Sequence, residues 1–221
     1  MLSRLNIKKI LFLCCCLFLV IPGYAQPPEE KGKQFRPEQL VELVNMDSTF
    51  KLDIRYATPN NFMHRQMYTQ ARAFLQRPAA EALVRVGRKL RKQGYGVLIF
   101  DGYRPWKITK KFWDETPPEK HNFVADPQKG SKHNRGCAID LSLYDLVTGK
   151  EVKMPSPYDD FTGKAYPTFK GGTKKQRRMR DFLRKVMEEE GFTVNEYEWW
   201  HFDYKDWEHY RILDVPFEEM K

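Results

Sequence analysis

The chain is short of cysteine, of repeats and of long hydrophobic runs, and each shortage closes off a class of protein. Four cysteines occur in 221 residues, and three of them, Cys14, Cys15 and Cys16, fall within the first 25 positions. Beyond that stretch Cys137 stands alone, so no internal disulfide can form. No repeat or low-complexity tract appears, and no proline-glycine linker divides the chain after residue 25. The uninterrupted apolar run from Ile10 to Ile21 is too short to cross a bilayer.

Acidic residues are also missing from the first 25 positions, and what stands there instead has the layout of an export signal. Arg4, Lys8 and Lys9 form a positive n-region, the apolar run follows, and Gly23-Tyr24-Ala25 offers a small-x-small cleavage site before Gln26. Residues 1–25 are therefore expected to be a signal peptide, removed on the way to the periplasm or the outside. The cysteine run raises a lipid anchor as the alternative, but Leu13 stands before Cys14 where a bacterial lipoprotein signal has a small residue. Of 38 basic residues three lie in this segment, which leaves 35 against 29 acidic ones, a net charge of +6. That balance is mildly basic with the signs interspersed, so neither a nucleic-acid partner nor stable membrane insertion after cleavage is expected. The densest basic run, Lys174 to Arg180, reads as the solvated start of a helix.

Residues 26–36, rich in Pro, Glu, Lys and Gly, suggest a flexible leader, and 37–221 suit a single domain with a sizeable core. Pro37 to Asn45 reads as a short helix. Phe50, Leu52, Ile54 and Tyr56 alternate with Lys51, Asp53 and Arg55, as in a strand with one wet face, before a loop at 57–62. A helix is expected over Ala79 to Gln93, with Pro78 in its first turn and Gly94 beyond its end. Further elements follow: a buried strand over Val97 to Phe100, a turn through Asp101 to Pro105, and a helix from there to about Trp113. Lys175 to Glu190 reads as another helix, and the last strand falls near Trp199 to Tyr204. Together these elements make an α+β domain.

The chemistry concentrates in two stretches. In Ser131-Lys132-His133-Asn134-Arg135-Gly136-Cys137-Ala138-Ile139-Asp140 an imidazole and a carboxylate stand seven residues apart, and both types bind zinc. From Cys137 to Tyr144 the residues alternate, with Asp140 on the more polar face of a half-buried strand, while Gly136 lets the backbone turn so that His133 can swing to the same side. Taken alone, the pair also fits a loop histidine and a strand-edge carboxylate that are merely hydrogen-bonded. Glu198-x-x-His201 shifts the weight. His133, Asp140 and His201 together would give three protein ligands with a fourth position left for water, and Glu198 would be a nearby general base. Residues three apart point to opposite faces of a regular strand, so Glu198 is expected before the strand or at a bulge.

Four separated segments carry a family resemblance: Asp53 to Thr58 with Asn61-Phe62, Gly102 to Pro105, Ser131 to Asp140, and Glu198 to His201. They resemble the zinc D-alanyl-D-alanine dipeptidases of the vancomycin-resistance type, a branch of peptidase family M15 that shares its fold with the Hedgehog signalling domain. The resemblance covers roughly Phe50 to Val215. It implies a central, mainly antiparallel sheet flanked by helices, and hydrolysis of the dipeptide D-Ala-D-Ala with one Zn2+ per chain. His133, Asp140 and His201 would hold the metal, Glu198 would take the proton of the attacking water, and Arg104 would steady the oxyanion. Tyr56, Ser131 and Asp159 would contact the ends of the substrate. The chain departs from the family pattern at Pro155, at Cys137 and in its export signal. Two rival readings remain: a zinc carboxypeptidase or endopeptidase on longer cell-wall peptides, and a non-catalytic zinc module.

Overall fold

The computed structural model describes residues 25–220, so the expected signal peptide lies outside the described residues except for Ala25. In chain order the regular elements are β1 (Leu40–Glu42), α1 (Leu43–Met46), β2 (Lys51–Leu52), β3 (Phe74–Gln76), α2 (Arg77–Arg91), β4 (Tyr95–Asp101), α3 (Trp106–Glu115), β5 (Ala138–Asp145), α4 (Lys174–Glu188), β6 (Phe192–Val194) and β7 (His201–Tyr204). Five strands form one sheet in the order β2-β4-β5-β7-β6, with β2 parallel to β4 and every other pairing antiparallel. β1 and β3 pair antiparallel in a separate ribbon. Helix α2 packs along β4, and α4 packs along β6 and against α2. The α+β architecture with a mainly antiparallel sheet is as expected. No helix among the described residues is long and apolar enough to cross a membrane.

The helices form where periodicity and end signals agree. α2 carries Pro78 in its first turn and buries Leu83, Val86 and Leu90, a stripe at helical spacing. α4 opens with a capping box: Thr173 Oγ1 accepts from the Gln176 amide at 3.2 Å, while the Gln176 side chain accepts from the Thr173 amide at 2.7 Å. Its inner side buries Met179, Leu183, Val186 and Met187. Burying the four side chains is worth roughly 1.5–3 kcal/mol each.

Three local expectations give way to tertiary context. The expected helix over 37–45 is instead β1 followed by the single turn α1, because Leu40–Glu42 finds strand partners in Phe74–Gln76. The expected strand over Phe50–Tyr56 stops at Leu52, and Arg55–Ala57 is a 3-10 turn. There the Tyr56 carbonyl accepts from the amides of Met67 and Tyr68, and the Asn61 side-chain amide donates to the carbonyls of Arg55, Thr58 and Arg65, so the loop replaces the ladder bonds that a strand would have made. Finally, β5 is not half-buried: Ala138 through Tyr144 are buried on both faces. β4 and β7 flank its edges, and its polar face is covered from above the sheet by residues such as the buried Tyr158, whose hydroxyl reaches Asp140.

Residues 26–36, for which the sequence suggested a flexible leader, hold no regular element. Within them the Glu30 carboxylate pairs with the buried Arg135 at 2.7 Å and accepts from the Ile212 amide at 3.2 Å.

Candidate active site

Three neighbouring strands bring the site together in one row. Asp140 on β5 lies directly opposite His201 on β7, and on its other side opposite Asp101 on β4. The second pairing depends on an irregularity between Ile99 and Asp101. In an unbroken ladder Phe100 would face Asp140; the bulge lets Asp101 do so instead. His133 comes from the 3-10 turn His133–Arg135 just before β5, where Gly136 takes φ +65°, a left-handed conformation that suits glycine. Glu198 lies just before β7, with the His201 amide donating to its carbonyl at 3.3 Å. That resolves the three-residue spacing as expected, by a turn ahead of the strand.

The three ligand candidates meet closely. His133 Nε2 and His201 Nδ1 are 3.1 Å apart, and they lie 3.3 and 3.1 Å from Asp140 Oδ1. Atoms held at about 2.0–2.1 Å by one tetrahedral zinc are about 3.3–3.4 Å apart, so the triangle has the edges such an ion requires. All three residues are buried, and Asp140 Oδ1 is a buried oxygen without a hydrogen-bond partner. Among the described residues this is the one His/Cys/Asp/Glu group so arranged. The donor set therefore fits a zinc ion.

The opposite end of each ligand is occupied. His133 Nδ1 donates to the Gly102 carbonyl at 2.7 Å, which leaves Nε2 free to ligate. His201 Nε2 donates to Asp203 Oδ1 at 2.9 Å, and Asp140 Oδ2 accepts from the Tyr158 hydroxyl at 3.0 Å. Gly102 has to be a glycine here, since a Cβ on it would lie 2.7 Å from the Phe74 carbonyl oxygen.

Burial opposes ionisation of Asp140, but the two imidazoles beside it hold its carboxyl well below the usual range. Burial likewise disfavours charge on His201, yet Asp203 and Asp140 raise it to about 10 in the metal-free protein. A divalent cation among these groups would supply the positive charge that the proton supplies here.

Around the triangle lies a cavity of about 250 Å³, lined by Tyr56, Arg104, Ser131, Asp159 and Glu198 among others. It falls just below the ~300–1,000 Å³ usual for drug-sized ligands and so suits a small one. Glu198 Oε2 lies 3.7 Å from His201 Nδ1, and burial raises its carboxyl to about 8. Arg104 is buried at the cavity wall, its guanidinium 4.9 Å from the Phe112 ring centre and 5.4 Å from that of Tyr56. Asp101 Oδ2 holds it at 2.8 and 3.0 Å, and Tyr68 donates to the same carboxylate. Asp159 sits at φ +60°, accepts from the Tyr56 hydroxyl through Oδ1 at 3.0 Å, and has a buried Oδ2 without a partner. Burial raises it to about 7. Ser131 Oγ accepts from the His133 amide at 3.1 Å.

Every residue singled out from the sequence thus lines one cavity. Tyr56, expected to touch substrate, spends its hydroxyl proton on Asp159. The sequence reading missed Asp101, Tyr158 and Asp203. Asp203 was within reach of it, since residues two apart on a strand share a face; Asp101 was not, because its face depends on the bulge.

The profile of the peptidase M15 family, described as D-ala-D-ala dipeptidase, matches residues 36–219. A D-alanyl-D-alanine dipeptidase of Enterococcus faecalis (strain ATCC 700802 / V583) is 32% identical over 183 residues, covering 75% of this chain and 87% of that protein. One of Escherichia coli (strain K12) is 29% identical over 179 residues, covering 81% and 91%. Among solved structures, the LdcB LD-carboxypeptidase aligns with a TM-score of 0.42 at 20% identity, covering 77% of this chain and 69% of that one.

Proposed function

The chain belongs to the peptidase M15 D-Ala-D-Ala dipeptidase family, and from that membership we propose that it hydrolyses D-Ala-D-Ala to two molecules of D-alanine as a zinc metallopeptidase. The observation that carries this reading is the triangle of His133 Nε2, Asp140 Oδ1 and His201 Nδ1, with Glu198 beside it and a small cavity in front. One zinc per chain is proposed, matching the one donor cluster among the described residues.

When bound, zinc acts as a Lewis acid and brings the pKa of a water it holds to about 7. The rest of the work falls to side chains. The unpartnered Asp159 Oδ2 accepts the substrate's ammonium, and Tyr56 fixes that carboxylate from behind. Ser131 stands at the wall for the other end of the dipeptide. Glu198 takes a proton from the water as its oxygen attacks the peptide carbon, then passes it to the leaving nitrogen as the C–N bond breaks. Arg104, always charged, faces the oxygen that turns negative on the way. Asp101 and Tyr68 keep that guanidinium in place, so it need not reorganise as charge develops.

The n-region and cleavage pattern of residues 1–25 support an exported enzyme, periplasmic or secreted, that meets dipeptide released from peptidoglycan during cell-wall turnover. The test is a metal analysis joined to a D-alanine release assay on D-Ala-D-Ala and on a pentapeptide stem. Stoichiometric zinc and cleavage of the dipeptide are expected. Cleavage of the pentapeptide alone would overturn the dipeptidase assignment.

A further inference from the structure

We infer that Asp203, gripped by Lys132, is a positioning residue for the metal site: it pins the proton of His201 on Nε2 so that Nδ1 keeps its lone pair for the ion. The inference rests on the zinc reading above and adds to it a residue pair outside the ligand set. Asp203 follows His201 by two positions on β7, so their side chains stand on one face of the strand, and His201 Nε2 is 2.9 Å from Asp203 Oδ1. The second oxygen of Asp203 lies 3.0 Å from Lys132 Nζ, and that ammonium also sits 5.3 Å from the centre of the Trp207 ring. The Asp203 side chain is 15% exposed, so its charge is held in place rather than solvated.

An imidazole with no partner can carry its proton on either nitrogen, and the Nδ1–H form of His201 would point a hydrogen, not a lone pair, at Asp140 and His133. The two histidines solve this with unlike acceptors. His133 gives its proton to a neutral carbonyl, that of Gly102, whereas His201 gives its own to a carboxylate, which makes a more basic ligand. Lys132 adjoins His133 in the chain. The ion pair therefore ties the turn that carries one ligand to the strand that carries another.

The experiment compares the zinc-loaded parent with Asp203→Ala, Asp203→Asn and Lys132→Met. It reads zinc affinity by competition with a chromophoric chelator, the His201 Nε2–H resonance by 1H–15N NMR of histidine-labelled protein, and the melting temperature. Asp203→Ala is expected to weaken zinc by roughly 10- to 100-fold and to move the His201 Nε2–H resonance upfield as its carboxylate partner is lost. Lys132→Met should weaken it less, and should add nothing when Asp203 is already alanine. If the alanine variant fails to fold, the near-isosteric Asp203→Asn is judged by the same readings. Zinc affinity within twofold of the parent would overturn the inference, even with a lowered melting temperature or a moved resonance, because the pair would then be only a tether. A parent that takes up no zinc would instead overturn the metal reading itself, and this inference with it.

Discussion

The two faces of β5 are equally buried and built to opposite ends. Ile139, Leu141 and Leu143 turn one way into an apolar core, whereas Asp140 and Ser142 turn the other way. On the first face no atom needs a partner. On the second, Asp140 Oδ1 and Ser142 Oγ both lack one, but only the Asp140 oxygen meets two imidazole nitrogens in a cavity wall. Burial by itself does not mark a functional atom. A buried oxygen without a partner does so when convergent donors and open space accompany it.

The comparison breaks most visibly at the metal. His201→Ala should abolish both zinc uptake and dipeptide hydrolysis, whereas Glu198→Ala should keep the zinc and lose roughly 10²- to 10⁴-fold in rate. Metal content measured alongside D-alanine release separates the two. A Glu198 variant as active as the parent would remove the general base from the scheme. On the apolar face Leu141→Ala should cost about 2–5 kcal/mol in denaturant unfolding yet leave chelator-measured zinc affinity near that of the parent.

A smaller effect follows from charge. In the metal-free protein Asp159 is raised to about 7, Glu198 to about 8 and His201 to about 10, against ordinary values of 3.8, 4.5 and 6.5. Each folded value lies above the unfolded one, so each group's contribution is full below its ordinary value and lost as pH rises through the folded one. Asp140 and Asp203 are shifted downward, and their contribution is lost only in acid. The melting temperature of chelator-treated protein should therefore fall between pH 6 and pH 9, and added zinc should raise it more at pH 9 than at pH 6. An equal zinc effect at both would contradict this charge account. The smallest effect is expected at Ser142→Ala, which deletes a polar atom that has no partner to strand; stability within about 1 kcal/mol of the parent is expected.

Much of the site could be read from residue order, because strand alternation and short spacings settle local direction. Gly136 before β5 and the turn after Glu198 were both foreseeable on those grounds, and so were the boundaries of α2 and α4 to within two or three residues. What escaped depends on partners distant in the chain. Leu40–Glu42 becomes a strand only because Phe74–Gln76 lies beside it. β5 is buried on its polar face by residues distant in the chain, Tyr158 among them. Asp101 joins Arg104 in the site only through the slip in the β4 ladder, and alternation counted along one strand cannot register a slip against another.

The Glu30 contact gives the two ends of the described chain a common lock. The carboxylate that reaches Arg135 also caps the Ile212 amide, and Arg135 itself donates to the Tyr210 carbonyl, so early and late segments fasten onto one guanidinium two residues past His133. Proteolytic trimming on either side of position 30 is thus two different operations. A cut between Gln26 and Glu29 removes exposed and half-buried residues from the described part, while a cut after Glu30 leaves an interior cation without its counter-ion, next door to the metal loop.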